Sequence, residues 1–543
     1  MCTLRITFLL AASLAIQLHS CLAEDSKREV VPTKEKQPPA GYIQASYGSA
    51  LFKMAEAIVW ELRERKVLVV WLFDESPTML DDQGEIRHYL PRFVAHIESD
   101  LDSRPKGTVK KSSADISPVL MSVESFGATV HTPMSQPTAN LREVLDAIAK
   151  IPVSRTGTEN VFKAIKESID RHSTFAKKSQ RKLMFIIVTD ESGNDGAMAE
   201  EVLSKAQQSN ATVSFFGREA VFGLRYARER WRDPESRLLF WISINRGPET
   251  AFPETLQFDG LGIRLDSMPS GFGPYEQMRL ASRTGGAFFG LPAEEEQLGA
   301  SRFRVEALTQ YHPELISVRE YIQLREKSAF RTVAWNAITK LDPSADKQLQ
   351  IRRASYSLSH TDFQTEAESD TRNAVRAIGV LAEVTTALDD ARSLRTGEET
   401  LRWKANYDLI LAQCLAYRIR LTQLVLSLDD HAHTLPKPKN VESNIWYMYN
   451  ATEMRIPDEA QFQSTVKKLG ISKASRLQFL RDSEELHKRA VFHLTAITKE
   501  HPGTPWARRA EYELRLGFGF ELKESVLDPR YATVREGPNL PEF

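Results

Sequence analysis

Residues 67–74 constrain the fold most, because seven consecutive apolar residues run directly into an acidic one (VLVVWLFD). An uninterrupted apolar run of this length is typical of a strand that is covered on both faces of a parallel sheet. A second such run, residues 183–188, also ends in polar residues, Thr189-Asp190-Glu191. Two strands of this kind predict an α/β protein whose ligand site lies at the carboxyl ends of the strands.

The segments between and after these two runs alternate between helical and extended patterns. Apolar residues at helical spacing predict helices at 49–65, 91–101, 140–149, 161–173, 199–208 and 275–284. Short apolar runs predict further strands at 118–126, 212–217 and 287–289, the last of them after the glycine pair 285–286, where Gly285 is the expected end of the preceding helix. This alternation predicts a doubly wound, Rossmann-like sheet with right-handed crossovers, and we expect helix 49–65 to add a layer to it.

An insertion at residues 218–272 follows the predicted strand 212–217. It is too long to be a structureless loop of a compact domain, and the run LLFWISI at 238–244 predicts a β excursion such as a hairpin. Its aromatic residues, Trp231, Phe240 and Trp241, form either an exposed contact surface or part of a core, and the pattern leaves both open.

Oxygen-bearing side chains follow both apolar runs. Asp74, Ser76 and Thr78 follow the first run, and Asp190 follows the second. Such acids also serve as helix caps and turn formers, but together they offer the oxygen ligands that Mg²⁺ prefers. Because the carboxyl ends of parallel strands meet at one edge of a sheet, the sequence predicts a divalent metal site there.

At these positions the chain resembles the von Willebrand factor type A (vWA) family, whose metal-ion-dependent adhesion site combines an Asp-x-Ser-x-Ser loop with a Thr and a further Asp. Residues 74–78 (DESPT) are similar to the first loop, and residues 189–191 (TDE) are similar to the family's Thr-Asp-Gly. The resemblance implies that a protein partner offers a carboxylate to a bound Mg²⁺, or to Mn²⁺ or Ca²⁺. It also implies that the ion is held by Asp74, Ser76, Thr78 and Asp190.

The second loop of the site departs from the family's Gly-Gly-Thr-Asn pattern. Residues 156–160 read TGTEN, and counting back from the helix places Glu159 rather than Thr158 at the position of the Thr. A third carboxylate would neutralise the ion and could fill its open coordination position, whereas a hydroxyl would leave it positive charge to offer. Either Thr158 is a ligand through a shifted loop, or Glu159 makes the site self-liganded.

Composition excludes several classes of function. The 71 lysines and arginines nearly balance the 72 aspartates and glutamates, so no strong positive field favours nucleic acid or an anionic membrane surface. The sequence contains no nucleophile elbow, phosphate-binding glycine loop or zinc-protease helix, so we do not expect an enzyme.

The first 23 residues predict export. Arg5 precedes an apolar stretch at 6–16, and Cys21-Leu22-Ala23 is a small-residue cleavage site. The segment 18–21 (LHSC) also resembles a lipoprotein box, which would acylate Cys21. We expect a flexible linker at 24–45, no later membrane span, and a periplasmic, cell-envelope or secreted protein that is peripheral to a membrane at most.

The chain after residue 310 is predicted to be helical. Segments 373–394 and 401–428 predict an antiparallel helical hairpin, on which Cys414 is a buried apolar residue, and 474–499 with 505–516 resembles one tetratricopeptide (TPR)-type helix pair. The order of parts is similar to exported, planctomycete-type bacterial proteins that carry a vWA domain.

These observations predict a vWA domain at 46–300, with its N-terminal helix and its insertion, followed by an all-α region at 310–543. We expect divalent-metal-dependent protein binding or adhesion at the cell envelope. The alternative is a metal-free vWA scaffold, a structural or assembly protein in which the insertion and the helical region carry binding.

Overall fold

The structure is a computed structural model that describes residues 41–103, 117–233, 235–292, 303, 305–470 and 475–533, so the predicted signal peptide lies outside the described residues. Among the described residues, the first part of the chain has nine strands: β1 Gly41–Gln44, β2 Lys66–Asp74, β3 Val119–Phe126, β4 Val130–His131, β5 Arg181–Val188, β6 Ala211–Gly217, β7 Tyr226–Arg232, β8 Leu239–Asn245 and β9 Ala287–Gly290. Seven of them form one sheet in the order β1-β9-β6-β5-β2-β3-β4, and β7 pairs with β8 separately.

The predicted α/β fold is confirmed, because neighbouring strands of the large sheet are parallel except for β3 and β4. Six helices cover it: α1 Tyr47–Glu61, α2 Leu80–Ser103, α3 Leu141–Ile148, α4 Val161–Lys178, α5 Ala199–Gln208 and α6 Tyr275–Thr284. Apolar side chains of α1, α2 and α3 form the core on one face of the sheet, and those of α4, α5 and α6 form the core on the other. Strand β2 lies between both cores, which explains its uninterrupted apolar sequence.

Two elements of this part differ from the prediction. The predicted linker 24–45 ends in a strand, since β1 pairs in parallel with β9 at the edge of the sheet. Helix α2 begins at Leu80 rather than near residue 91 and contains Pro91 in its interior. Pro91 is exposed, so the helical carbonyl that it leaves without a donor can bind water instead.

The insertion forms the predicted hairpin, in which β7 and β8 pair antiparallel. Its later part packs on the C-terminal region, because Phe222, Leu256 and Phe258 share a core with helical residues there. Its aromatic residues divide between the two open alternatives: Trp231 packs against the small core under the hairpin, whereas Trp241 is 55% exposed.

The C-terminal region is largely helical but contains a sheet. Its helices are α7 Val305–Leu308, α8 Val318–Lys327, α9 Ala329–Lys340, α10 His360–Asp390, α11 Leu401–Thr434, α12 Glu459–Leu469, α13 Arg476–Glu500, α14 Pro505–Leu516 and α15 Arg530–Thr533. Helices α10 and α11 form the predicted hairpin. The predicted helical region is confirmed as largely helical, and it also contains an antiparallel sheet that was not predicted, formed by β10 Ser355–Ser357, β11 Ile445–Ala451 and β12 Gly519–Ser525.

Helix α11 is the centre of this region. It is long and apolar enough to cross a membrane, but 89% of its apolar window is buried inside the protein, as in a core helix. Cys414 on this helix is fully buried, as predicted, and burial raises the pKa of its thiol to about 12. A thiol with so high a pKa is almost entirely protonated at neutral pH, and is therefore a poor nucleophile.

Candidate metal centre

The first and third predicted loops meet at the carboxyl ends of β2 and β5. Asp74, the last residue of β2, is fully buried. Its Oδ1 accepts a hydrogen bond from the Ser76 backbone N–H at 2.8 Å, and its Oδ2 accepts one from the Thr189 hydroxyl at 2.7 Å. The Ser76 and Thr78 hydroxyls lie 3.0 Å apart. One hydrogen bond within the first loop and one from the start of the third loop therefore fix the Asp74 carboxylate, and the same first loop carries the two neighbouring hydroxyls.

The second loop brings Glu159 into the same cluster. Glu159 is 4% exposed, whereas Thr158 is only half-buried. Asn194 of the third loop holds it in place: the Glu159 N–H donates to Asn194 Oδ1 at 2.8 Å, and the Asn194 N–H donates to the Glu159 carbonyl at 2.9 Å. Asp195 then caps α4 by accepting from the backbone N–H groups of Phe162 and Lys163. The Asn194-Asp195 pair thus positions both the loop and the helix that follows it.

The electrostatics of the cluster show mutual repulsion among buried carboxylates. Burial raises the pKa of Asp74 well above its usual value, and the Asp190 and Glu159 carboxylates raise it further. Burial, and next Asp190, raise the pKa of Glu159 to about 7. Burial, followed by Glu159, Asp190 and Asp74, raises the pKa of Glu191 to about 10. These acids therefore lie close enough to oppose one another's ionisation, which is the situation that a cation or a proton relieves.

Glu191 was not predicted as part of this site. It is 3% exposed and occupies the position where the Thr-Asp-Gly pattern has glycine. That departure was the available signal, but an acid in a turn-prone segment is equally typical of a turn former. Glu191 is therefore a fourth carboxyl group on which the charges of Glu159, Asp190 and Asp74 act.

Two buried oxygens of the cluster have no hydrogen-bond partner, Glu159 Oε2 and Asp190 Oδ1. In the described residues none of the four carboxylates forms an ion pair with a basic side chain. Two arginines lie near enough for their charges to act on the cluster, but both form ion pairs with acids outside it. Arg218 pairs with Asp82 at 2.8 Å, and Arg246 pairs with Glu229 at 3.1 Å. Unpartnered carboxylate oxygens beside two hydroxyls fit the donor set of a hard divalent cation.

Comparison with known proteins identifies the domain that contains this site. Residues 69–225 match the family model of the von Willebrand factor type A domain. The chain therefore contains a vWA domain, a class of domain that is usually non-catalytic and typically mediates metal-dependent protein interactions. No curated protein matches the chain.

Solved structures with similar folds include three examples. The conserved hypothetical protein BatB from Bacteroides thetaiotaomicron is 15% identical, with 42% of this chain and 93% of that chain covered and a TM-score of 0.26. Proximal thread matrix protein 1 from the mussel byssus, with a zinc-occupied metal-ion-dependent adhesion site (MIDAS) motif, is 11% identical. The match covers 29% of this chain and 37% of that chain, with a TM-score of 0.21. Manganese-loaded TRAP protein from Plasmodium vivax is 17% identical (28% and 57% covered, TM-score 0.20). This chain thus spans well under two thirds of the latter two, and TM-scores this low add nothing to the domain assignment.

Proposed function

We propose that the protein is an exported vWA protein that binds a divalent cation and, through it, a protein partner at the cell envelope. Mg²⁺, Mn²⁺ or Ca²⁺ would be held by Asp74, Ser76, Thr78 and Asp190. The observation that carries the proposal is the pair of buried, unpartnered oxygens, Glu159 Oε2 and Asp190 Oδ1. A bound ion would neutralise the carboxylates and accept a carboxylate oxygen from the partner.

Glu159 is the second-loop ligand that we favour over Thr158. Its side chain is buried and its Oε2 has no hydrogen-bond partner. Its backbone N–H and its backbone carbonyl are both hydrogen-bonded to Asn194. Glu159 would lower the net charge of the bound ion and compete with a partner carboxylate for it. The site would then bind its partner more weakly than a site with a hydroxyl at this position.

Calorimetric titration with MgCl₂ and MnCl₂ tests the proposal. We expect binding heat for the wild type, and no heat for Asp190→Ala, which removes a carboxylate but no packing in the apolar cores. The control is Asp146→Asn, an exposed acid on α3, which should bind the ions like the wild type. Absence of heat in the wild type would contradict metal binding and favour the metal-free scaffold, in which the insertion and the helical region carry binding.

A further inference from the structure

The β7–β8 hairpin presents a face that is rich in arginine. Side chains of a strand alternate between its two faces, and on this hairpin Ala227, Ile242 and Ile244 point inwards to the core formed with Val221 and Leu224. The opposite face is exposed or half-buried. We name it the basic face, and it consists of Tyr226, Arg228, Arg230, Arg232, Leu239, Trp241 and Ser243.

The basic face carries three positive charges and no carboxylate among its residues. The only acid within the two strands, Glu229, is on the inner side and pairs with Arg246. Arg230 lies directly opposite Trp241, with its guanidinium 5.1 Å from the ring centroid. Exposed tryptophan and arginine are the side chains most enriched among residues that dominate binding energy at protein interfaces.

The basic face begins next to the candidate metal centre. Asn245, which pairs with Tyr226 at the base of the hairpin, accepts a hydrogen bond from the Ser192 N–H at 2.8 Å and donates one to the Gly193 carbonyl at 3.1 Å. Ser192 is two residues from Asp190. Because alternate residues of a strand are about 7 Å apart, the arginines extend about 13 Å along β7 from Arg228 to Arg232.

We propose that the basic face binds an acidic polypeptide segment of the same partner whose carboxylate reaches the metal, an inference that rests on the proposed function. The arginines along β7 have the same spacing as alternate side chains of an extended peptide. Acidic residues at every second position of such a peptide can therefore each contact one guanidinium. The hairpin tip argues against an anionic membrane as the occupant. The charges of its two exposed charged residues, Glu235 and Arg237, cancel, so the tip adds no net attraction for anionic headgroups.

Binding of fluorescently labelled poly-L-glutamate tests this inference on the full chain. We expect the triple variant Arg228→Gln/Arg230→Gln/Arg232→Gln to raise the Kd about 10-fold or more, because three charge pairs are lost together. The matched control, Arg87→Gln/Arg92→Gln/Arg142→Gln, removes the same charge from exposed positions on α2 and α3 and should change the Kd less than about 2-fold. Circular dichroism and the Mg²⁺ titration of the triple variant should match the wild type.

Equal affinities of the triple variant and its control would overturn the inference. Phosphatidylserine vesicles or a single-stranded DNA oligonucleotide that bind as tightly as poly-L-glutamate, with the same loss in the triple variant, would overturn the commitment to an acidic polypeptide. The metal is tested separately by repeating the measurement with MgCl₂ and with EDTA. If the triple variant binds poly-L-glutamate as tightly as the wild type does, the basic face is refuted. If the triple variant binds it more weakly than the wild type but MgCl₂ and EDTA give the same Kd, the basic face is supported and the metal-dependent function is refuted.

Discussion

At the scale of single residues, Glu159 decides how much positive charge the candidate metal centre can offer. It lies in one cluster with Asp74, Asp190 and Glu191, where burial and neighbouring carboxylates raise the pKa values of Asp74, Glu159 and Glu191. The fold tolerates this repulsion because hydrogen bonds from Ser76 and Thr189 hold the Asp74 carboxylate in place. Removing one acid should therefore change both metal affinity and the stability of the metal-free protein.

Glu159→Thr is predicted to weaken Mg²⁺ binding about 10-fold, because a carboxylate ligand becomes a hydroxyl. The same variant should bind poly-L-glutamate more tightly in MgCl₂, since the ion keeps more charge and an open position. In EDTA its melting temperature should rise, because one buried, repelled carboxylate is gone. Calorimetry, fluorescence binding and thermal denaturation measure the three effects.

The control for this variant is Glu98→Gln, which neutralises an exposed acid on α2 and should leave all three measurements unchanged. Unaltered affinities for both Mg²⁺ and poly-L-glutamate in Glu159→Thr would show that Glu159 is not a ligand.

The residues of the site differ in how far the sequence could predict them. Asp74 and Asp190 follow long apolar runs, and that pattern locates the ends of buried strands. Glu191 and Asn194 lie in a segment whose composition indicates only a turn. Their roles depend on the distance to Glu159, and the sequence pattern contains no information about that distance.

At the scale of secondary structure, two glycines differ in backbone conformation: one is left-handed at the end of a helix, and the other is inside a helix. Gly285 ends α6 with φ of 76°, in the left-handed region, and a Cβ there would meet nothing within 4 Å. Gly379 lies inside α10, and a Cβ there would also meet nothing within 4 Å. Contacts are thus equal at both sites, and only backbone conformation distinguishes them.

Gly285→Ala is predicted to lower the free energy of unfolding by about 1 kcal/mol, because an alanine is strained at positive φ. Gly379→Ala is predicted to raise it by up to about 1 kcal/mol, because alanine favours a helix interior. Urea denaturation followed by circular dichroism measures both. Effects of the same sign would contradict the assignment of the two backbone conformations.

Prediction succeeded for elements whose own sequence carries the signal. Five strands of the large sheet, β2, β3, β5, β6 and β9, and the helices between them have local apolar patterns, and Gly285 correctly indicated the end of α6. It failed for β1 and for the sheet of β10, β11 and β12, which are short or come from distant parts of the chain. Such strands are stabilised by pairing with a remote partner, and propensity alone does not identify that partner.

At the scale of the whole molecule, buried ion pairs connect the insertion to the helical region. Arg402 of α11 is 3% exposed, and it donates to Glu249 Oε1 and to Glu254 Oε2, each at 2.6 Å. Glu254 also accepts from the Tyr321 hydroxyl and from Asn406. The vWA insertion is thereby held on the helices by polar contacts inside an apolar core.

Arg402→Met is predicted to destabilise the protein by about 3–5 kcal/mol, because two carboxylates remain buried without their cation. Adding Glu249→Gln and Glu254→Gln to this variant should recover part of the loss, since the unpaired charges are removed. Arg376→Met, which breaks the exposed pair with Asp346, is the control and should leave the urea midpoint unchanged. A triple variant no more stable than Arg402→Met alone would contradict the electrostatic explanation.

The parallel pairing of β1 with β9 has a mechanical consequence. Gly41 to Gln44 lie alongside Ala287 to Gly290, and Gly41 is at the end of the sheet opposite the candidate metal centre. A force applied between Gly41 and the candidate metal centre would act along the strand axis. The β1–β9 hydrogen bonds are then loaded in shear and must rupture together, so they resist pulling before any force reaches α1.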